Sequence, residues 1–254
     1  MDIAEAAGQL EIIYYTDPLC CWSWAMEPQL RKIQYEYYGR IKWKYRMGGL
    51  LPGWKNYHDE VNAVSRPIQM GPVWMHAQEV SGMPMDSGIW IKDAPSSSYP
   101  ACIAFKSVAL QSEAASIIYL RRLREAVMIR GENIFKQNIL TAIASTLTDN
   151  SYHFNLEKFK EDIDNGVALE AFREDINEIQ NKNIKRFPTL IIKDSSNKGV
   201  VITGYRPYAA LQDSLLHVSP NIKKSNPVIS AEKYKAFWGT LTSREMNEIK
   251  NDVE

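Results

Sequence analysis

The chain has 254 residues, 45% hydrophobic and 24% charged, enough to bury a large core as one domain or as a domain with a sizeable insertion. Its 30 basic and 30 acidic residues give a formal net charge of zero, which excludes a global field drawing it to nucleic acid or to an anionic membrane. Three cysteines are too few for a disulfide scaffold, and the four histidines, His58, His76, His153 and His217, have no paired ligand spacing, so no metal is expected. Residues 1–8 carry two acids and no base, unlike a signal peptide. No window approaches the roughly 18 consecutive apolar residues of a membrane span, so the expected location is cytoplasmic.

In chain order, residues 10–16 (LEIIYYT) are β-branched and aromatic and end at Asp17-Pro18, which predicts a buried strand. The segment Asp17-Pro18-Leu19-Cys20-Cys21-Trp22-Ser23-Trp24 forms the corner to a helix over 26–38, which ends at Gly39. Residues 40–47 alternate Ile41, Trp43, Tyr45 and Met47 with basic residues, as a strand with one buried face does. Gly48-Gly49 and Pro52-Gly53 stop it. The opening is therefore a βαβ unit with Cys20 at its first turn.

A long helical stretch follows. Helices are predicted over 56–69, interrupted by Pro67, and over 71–80, with a loop over 81–95. Ser98-Tyr99-Pro100 looks like a helix start for 101–111. Further helices are expected over 113–130, 133–146, 155–165 and 167–183. Strand chemistry returns at 189–193 and 200–203, joined by the hairpin-like DSSNKG linker, and a helix over 208–218 closes the unit. A tail from 219 carries two short helical stretches, 231–238 and 243–251. The order is β-α-β, helical insert, β-β-α.

A cysteine at a strand-to-helix corner sits where backbone N–H groups and the helix dipole stabilise a thiolate. Cys20 is thus the candidate nucleophile. A second redox cysteine would stand three residues on, and that position holds Ser23. Ser23 can hydrogen-bond a Cys20 thiolate but cannot resolve a mixed disulfide. Cys21 and Cys102 read as packed hydrophobes, each with a second reading as a resolving thiol. Trp22 either covers the cysteine or contacts substrate. Pro188, in Arg186-Phe187-Pro188-Thr189, stands at the head of a strand, where a missing ladder donor is tolerated. Met70, Met75, Met83 and Met85 fill core or line an adaptable groove. Lys182, Lys185 and Arg186 read as a solvated face.

These motifs resemble the DsbA family of the thioredoxin-like superfamily, and within it the cytosolic FrnE-like branch. The family's Asp-Pro-x-Cys-x-Trp-Cys-Trp pattern is matched at Asp17, Pro18, Cys20, Trp22 and Trp24, with Pro28 following. The resemblance spans roughly residues 10–218. It implies an α/β thioredoxin-like domain (9–54 and 184–218), an all-helical insertion (55–183) and a C-terminal helical extension (219–254). It also implies a cis-proline at Pro188 beside the active cysteine, with Cys21, Trp22, Phe187 and Pro188 contacting substrate. With Ser23 in place of the second cysteine, the expected chemistry is monothiol: Cys20 acts on protein or small-molecule thiols and disulfides, no cofactor is tightly bound, and glutathione serves as co-substrate. Two alternatives accompany this reading. One is a kappa-class-like glutathione transferase. The other is a non-catalytic YjbH-like adaptor that binds a client through the same fold.

Overall fold

The computed structural model describes residues 10–148 and 154–250. The leader reading of 1–8, His153 and the last position of the final expected helix, Asn251, lie outside them.

Strand β1 (Leu10–Thr16) is the centre of a four-stranded sheet of order β2-β1-β3-β4. It runs parallel to β2 (Ile41–Met47), with Tyr14 opposite Tyr45, and antiparallel to β3 (Thr189–Asp194), with Ile13 opposite Ile191. Strand β4 (Gly199–Thr203) completes the hairpin with β3 at one edge. Because side chains alternate across a strand, Leu10, Ile12 and Tyr14 pack with Leu30, Ile33, Leu211 and Leu215, whereas Ile13 and Tyr15 pack with Ile179.

Helix α2 (Glu27–Glu36) is the helix expected from residue 26, and a short helix α1 (Cys21–Ala25) precedes it within the corner. Pro28 in the first turn of α2 has no N–H to offer the carbonyl of Trp24, so the ladder breaks at Met26. The helix expected over 56–69 is absent. That stretch holds a 3-10 turn (Trp54–Asn56), a bridge between Asp59 and Val64, and a second 3-10 turn (Pro67–Gln69). The Asp59 carboxylate accepts from the amides of Val61 and Asn62, Ala63 adopts a left-handed φ of 52°, and Pro67 disfavours helix at Arg66.

The remaining insert is helical as expected: α3 (Met70–Ser81), α4 (Ile89–Lys92), α5 (Tyr99–Gln111), α6 (Glu113–Arg124) with a π-helical turn (Glu125–Ile129), α7 (Gln137–Ser145), α8 (Leu156–Asp164) and α9 (Val167–Asn181). Only α4 falls in a stretch read as loop. Insert and sheet share one core: Trp24, Met47 and Leu51 join Trp74, Phe105, Tyr119 and Phe159 in a single apolar cluster. After the sheet come α10 (Tyr208–Val218), α11 (Ala231–Trp238) and α12 (Ser243–Lys250).

The tail packs onto α2. Ile229, Tyr234, Trp238 and Ile249 bury around Tyr35, and the Arg31 guanidinium lies 4.4 Å from the Trp238 ring centroid. Thr242 and Glu245 form a capping box at α12: the Glu245 amide donates to the Thr242 hydroxyl, and the Thr242 amide donates to the Glu245 carboxylate. That carboxylate, with 0% side-chain exposure, also pairs with Arg31 and Arg121. Among the described residues no helix is long and apolar enough to cross a membrane.

Candidate functional site: the groove over Cys20

Cys20 caps α1 from an extended conformation, and its sulfur accepts the Ser23 amide at 3.4 Å. On its other side the thiol donates to the Phe187 carbonyl at 3.5 Å, and the Phe187–Pro188 peptide bond is cis. The strand order thus brings the corner and the 186–189 loop together although they are about 165 residues apart in sequence (167 for this bond). Ser23 is fully buried, and its hydroxyl has no conventional hydrogen-bond partner.

The electrostatics differ from the sequence expectation. Cys20 is only 4% exposed, and burial pushes its thiol above the ordinary value, an effect that the hydrogen bond from the Ser23 amide only partly offsets. A helix of five residues has little macrodipole to counter that desolvation. Cys21 and Cys102 are buried in the large apolar cluster, and burial raises both thiols well above the ordinary value. All three cysteines are free. Among the described residues, no group of three or more His, Cys, Asp or Glu is placed to hold a metal ion.

Asp17 organises the backbone around the corner. Fully buried, it accepts from the amides of Leu19 and Leu50, the Ser98 hydroxyl and the Cys102 thiol. Burial raises its carboxyl above the usual range despite these bonds. Cys102, expected as core, is therefore also part of the strut that ties the corner to α5.

Cys20 lies in the floor of a groove of about 1000 Å³, together with Cys21, Trp22 and Phe187. Trp22 meets His76 edge-on at 5.6 Å and Tyr205 at 6.2 Å, and all three rings line the groove. One wall is the α3 side, with Val61, Met70, Val73, Trp74 and Val80; the other carries Ile184, Lys185 and Arg186. Of the four methionines, Met70 lines the groove, Met83 and Met85 sit in the core, and Met75 is exposed. Trp54 packs on Tyr57 and Trp90. Sequence reasoning missed Tyr205, His76 and the two exposed valines of the rim. Lys185 and Arg186, read as a solvated face, border the groove.

Gly48 fits the floor by lacking a side chain. A Cβ there would lie 2.3 Å from the Phe187 ring. Gly48→Ala is therefore expected to push the Phe187 ring aside and, through it, to shift the backbone carbonyl that accepts from the Cys20 thiol. Stability should fall by about 1–3 kcal/mol. Cys20 should react faster with an aromatic disulfide reagent, a rate readable by absorbance.

A four-stranded sheet with the β-α-β, β-β-α order, a buried corner cysteine and a facing cis-proline define a thioredoxin-type fold with a helical insertion. Residues 14–213 match the sequence profile described as Thioredoxin, and the chain belongs to the thioredoxin family. Within that family it is 30% identical over 242 residues, covering 93% of this chain and 76% of the relative, to the ClpXP adapter protein SpxH of Halalkalibacterium halodurans. Among solved structures, a candidate protein disulfide isomerase from Nitrosomonas europaea superposes with a TM-score of 0.67 at 21% identity, covering 82% of this chain and 96% of that one. The cytosolic disulfide reductase DsbM of Pseudomonas aeruginosa superposes with a TM-score of 0.59 at 16% identity, covering 89% and 96%. The DsbA-like fold expected from the corner motif is thus the fold observed, and the close sequence relative carries an adapter's name.

Proposed function

We propose that this protein is a cytoplasmic adaptor that captures a client protein in the groove over Cys20 and hands it to the ClpXP protease. The observation that carries this reading is the likeness to an SpxH adapter over 93% of the chain. The site's chemistry supports it. Cys20 is buried with a raised pKa, and Ser23 stands where a resolving cysteine would be. A thiol at neutral pH with a raised pKa is a slow nucleophile. The groove itself is wide and largely apolar on the α3 side, as protein recognition needs. The monothiol oxidoreductase expected from the sequence is the second reading.

That second reading has one observation in its favour, the contact of Cys20 with the Phe187 carbonyl beside Pro188. In it, the Cys20 thiolate attacks a disulfide, forms a mixed disulfide and expels one thiolate. A glutathione thiolate then attacks the adduct, releasing Cys20 and leaving the glutathionylated product.

The two readings separate in one experiment. Protein half-lives are measured in cells with and without this chain, in the presence and absence of ClpX. The adaptor reading expects a small set of proteins whose half-lives lengthen when either is removed, and to the same extent when both are. If no protein behaves so while purified chain reduces mixed glutathione disulfides at catalytic rates, the oxidoreductase reading replaces it.

A further inference from the structure

The two walls of the groove differ in kind. The α3 side is apolar, and its rim residues Val61 and Val80 are 67% and 48% exposed. Trp74 and Met70 underlie them. Large exposed apolar side chains gathered beside a groove mark a surface meant to be covered. The opposite wall ends in Lys185 and Arg186, both exposed and without an ion pair among the described residues, with Lys182 exposed nearby and Arg206 following the groove residue Tyr205. The two acids that line the groove, Asp59 and Glu60, form no ion pair with Lys185 or Arg186 among the described residues. Asp59 is spent within its own turn, where it accepts from the amides of Val61 and Asn62 and from the Asn62 side chain. Glu60 stands on the same segment as Asp59, with the apolar side.

From this asymmetry we infer that the groove takes an amphipathic acidic segment of the partner protein, its apolar face on Val61, Met70, Val73 and Val80 and its carboxylates toward Lys185 and Arg186. The inference rests on the adaptor reading and specifies its client. Apolar burial supplies most of the affinity, and the basic wall selects against partners of the wrong sign and sets the orientation. A segment with basic residues in the same register meets Lys185 and Arg186 as like charges and is rejected.

Three labelled peptides with one shared apolar pattern serve as probes, their polar faces carrying Glu, Gln or Lys. Binding to the full chain is read by fluorescence anisotropy at about 50 mM and about 500 mM salt. The Glu peptide is expected to bind at least about tenfold more tightly than the Lys peptide at low salt, with the gap closing at high salt. Lys185→Glu/Arg186→Glu is expected to reverse that order, and Val80→Asp to weaken all three. These are surface substitutions, so the fold should persist, which circular dichroism and urea melting check. Equal binding of the three peptides, or an order unmoved by the charge reversal, overturns the acidic-client inference. If Val80→Asp still weakens binding in that case, the groove stands as a docking site with no charge preference. No binding by any peptide, or binding indifferent to Val80→Asp, overturns both the inference and the use of this groove for client capture.

Discussion

Glu245→Gln is expected to lower the unfolding free energy by about 3–5 kcal/mol near pH 7, the usual cost of removing one partner from a buried charge cluster. The Glu245 side chain has 0% exposure and meets Arg31 at 2.5 Å and Arg121 at 2.9 Å, both nearly buried themselves. Without its charge, Arg31 and Arg121 lose the carboxylate they share, and Arg121 keeps Glu125 at 2.7 Å and Glu27 at 3.9 Å. The amide also loses an acceptor oxygen of the capping box. The effect has a pH signature. Burial acts to raise the Glu245 pKa, but Arg121 and Arg31 hold it below the ordinary value of 4.5. A depressed folded pKa contributes stability that is fully present above the unfolded value and is lost as pH falls through the folded one. The gap between wild type and variant should therefore be constant from about pH 7 to 5.5 and shrink below about 4.5. Asp17 and Asp175 titrate in the opposite sense, because burial raises both above the ordinary 3.8. They are common to both proteins and cancel in the difference. Urea melts across this range check the prediction.

Asp17→Ala is expected to cost about 3 kcal/mol, near the top of the range for single substitutions. Four donors lose their acceptor: the amides of Leu19 and Leu50, the Ser98 hydroxyl and the Cys102 thiol. Each buried orphan amide or hydroxyl costs about 1–3 kcal/mol. Relief of the carboxylate's own desolvation, visible in its raised pKa, offsets part of this. Because Leu50 and Ser98 flank the segment that carries α3 and α4, the loss should be local as well as global. Hydrogen exchange at the Leu19 and Leu50 amides should accelerate by more than the change in global stability accounts for. Equal protection in the variant would mean that Asp17 is not the strut of the corner.

Much of this architecture was legible in the residues because it is written in short-range patterns. The β-branched and aromatic run of 10–16, the alternation in 40–47, the Asp-Pro corner, and the late hairpin with its DSSNKG linker located all four strands of the sheet, though not their order. Local competition hid other parts. Residues 56–69 look helical by composition, yet Asp59 binds its own turn and Pro67 restrains Arg66. Long-range effects hid the rest. Three of the four partners of Asp17 stand 33, 81 and 85 residues away, and no spacing rule reaches that far. Lys185 and Arg186 looked like any solvated cluster until the fold set them on a groove edge opposite Val61 and Val80. The same distance effect governs Cys20. The corner motif announces a reactive thiol, but reactivity depends on burial and on a helix that proves to be five residues long.

The central claim is that the chain works through the surface around Cys20 and not through its sulfur. The measurement that tests it most directly is the ClpX-dependent half-life of the affected proteins in cells carrying Cys20→Ser in place of the wild-type chain at equal abundance. Cys20 is 4% exposed and contributes little contact area, so the account predicts half-lives within about twofold of wild type, under ~0.5 kcal/mol of binding. Half-lives that instead match cells lacking the chain, with the variant folded and abundant, would contradict it and return Cys20 to the role of a nucleophile.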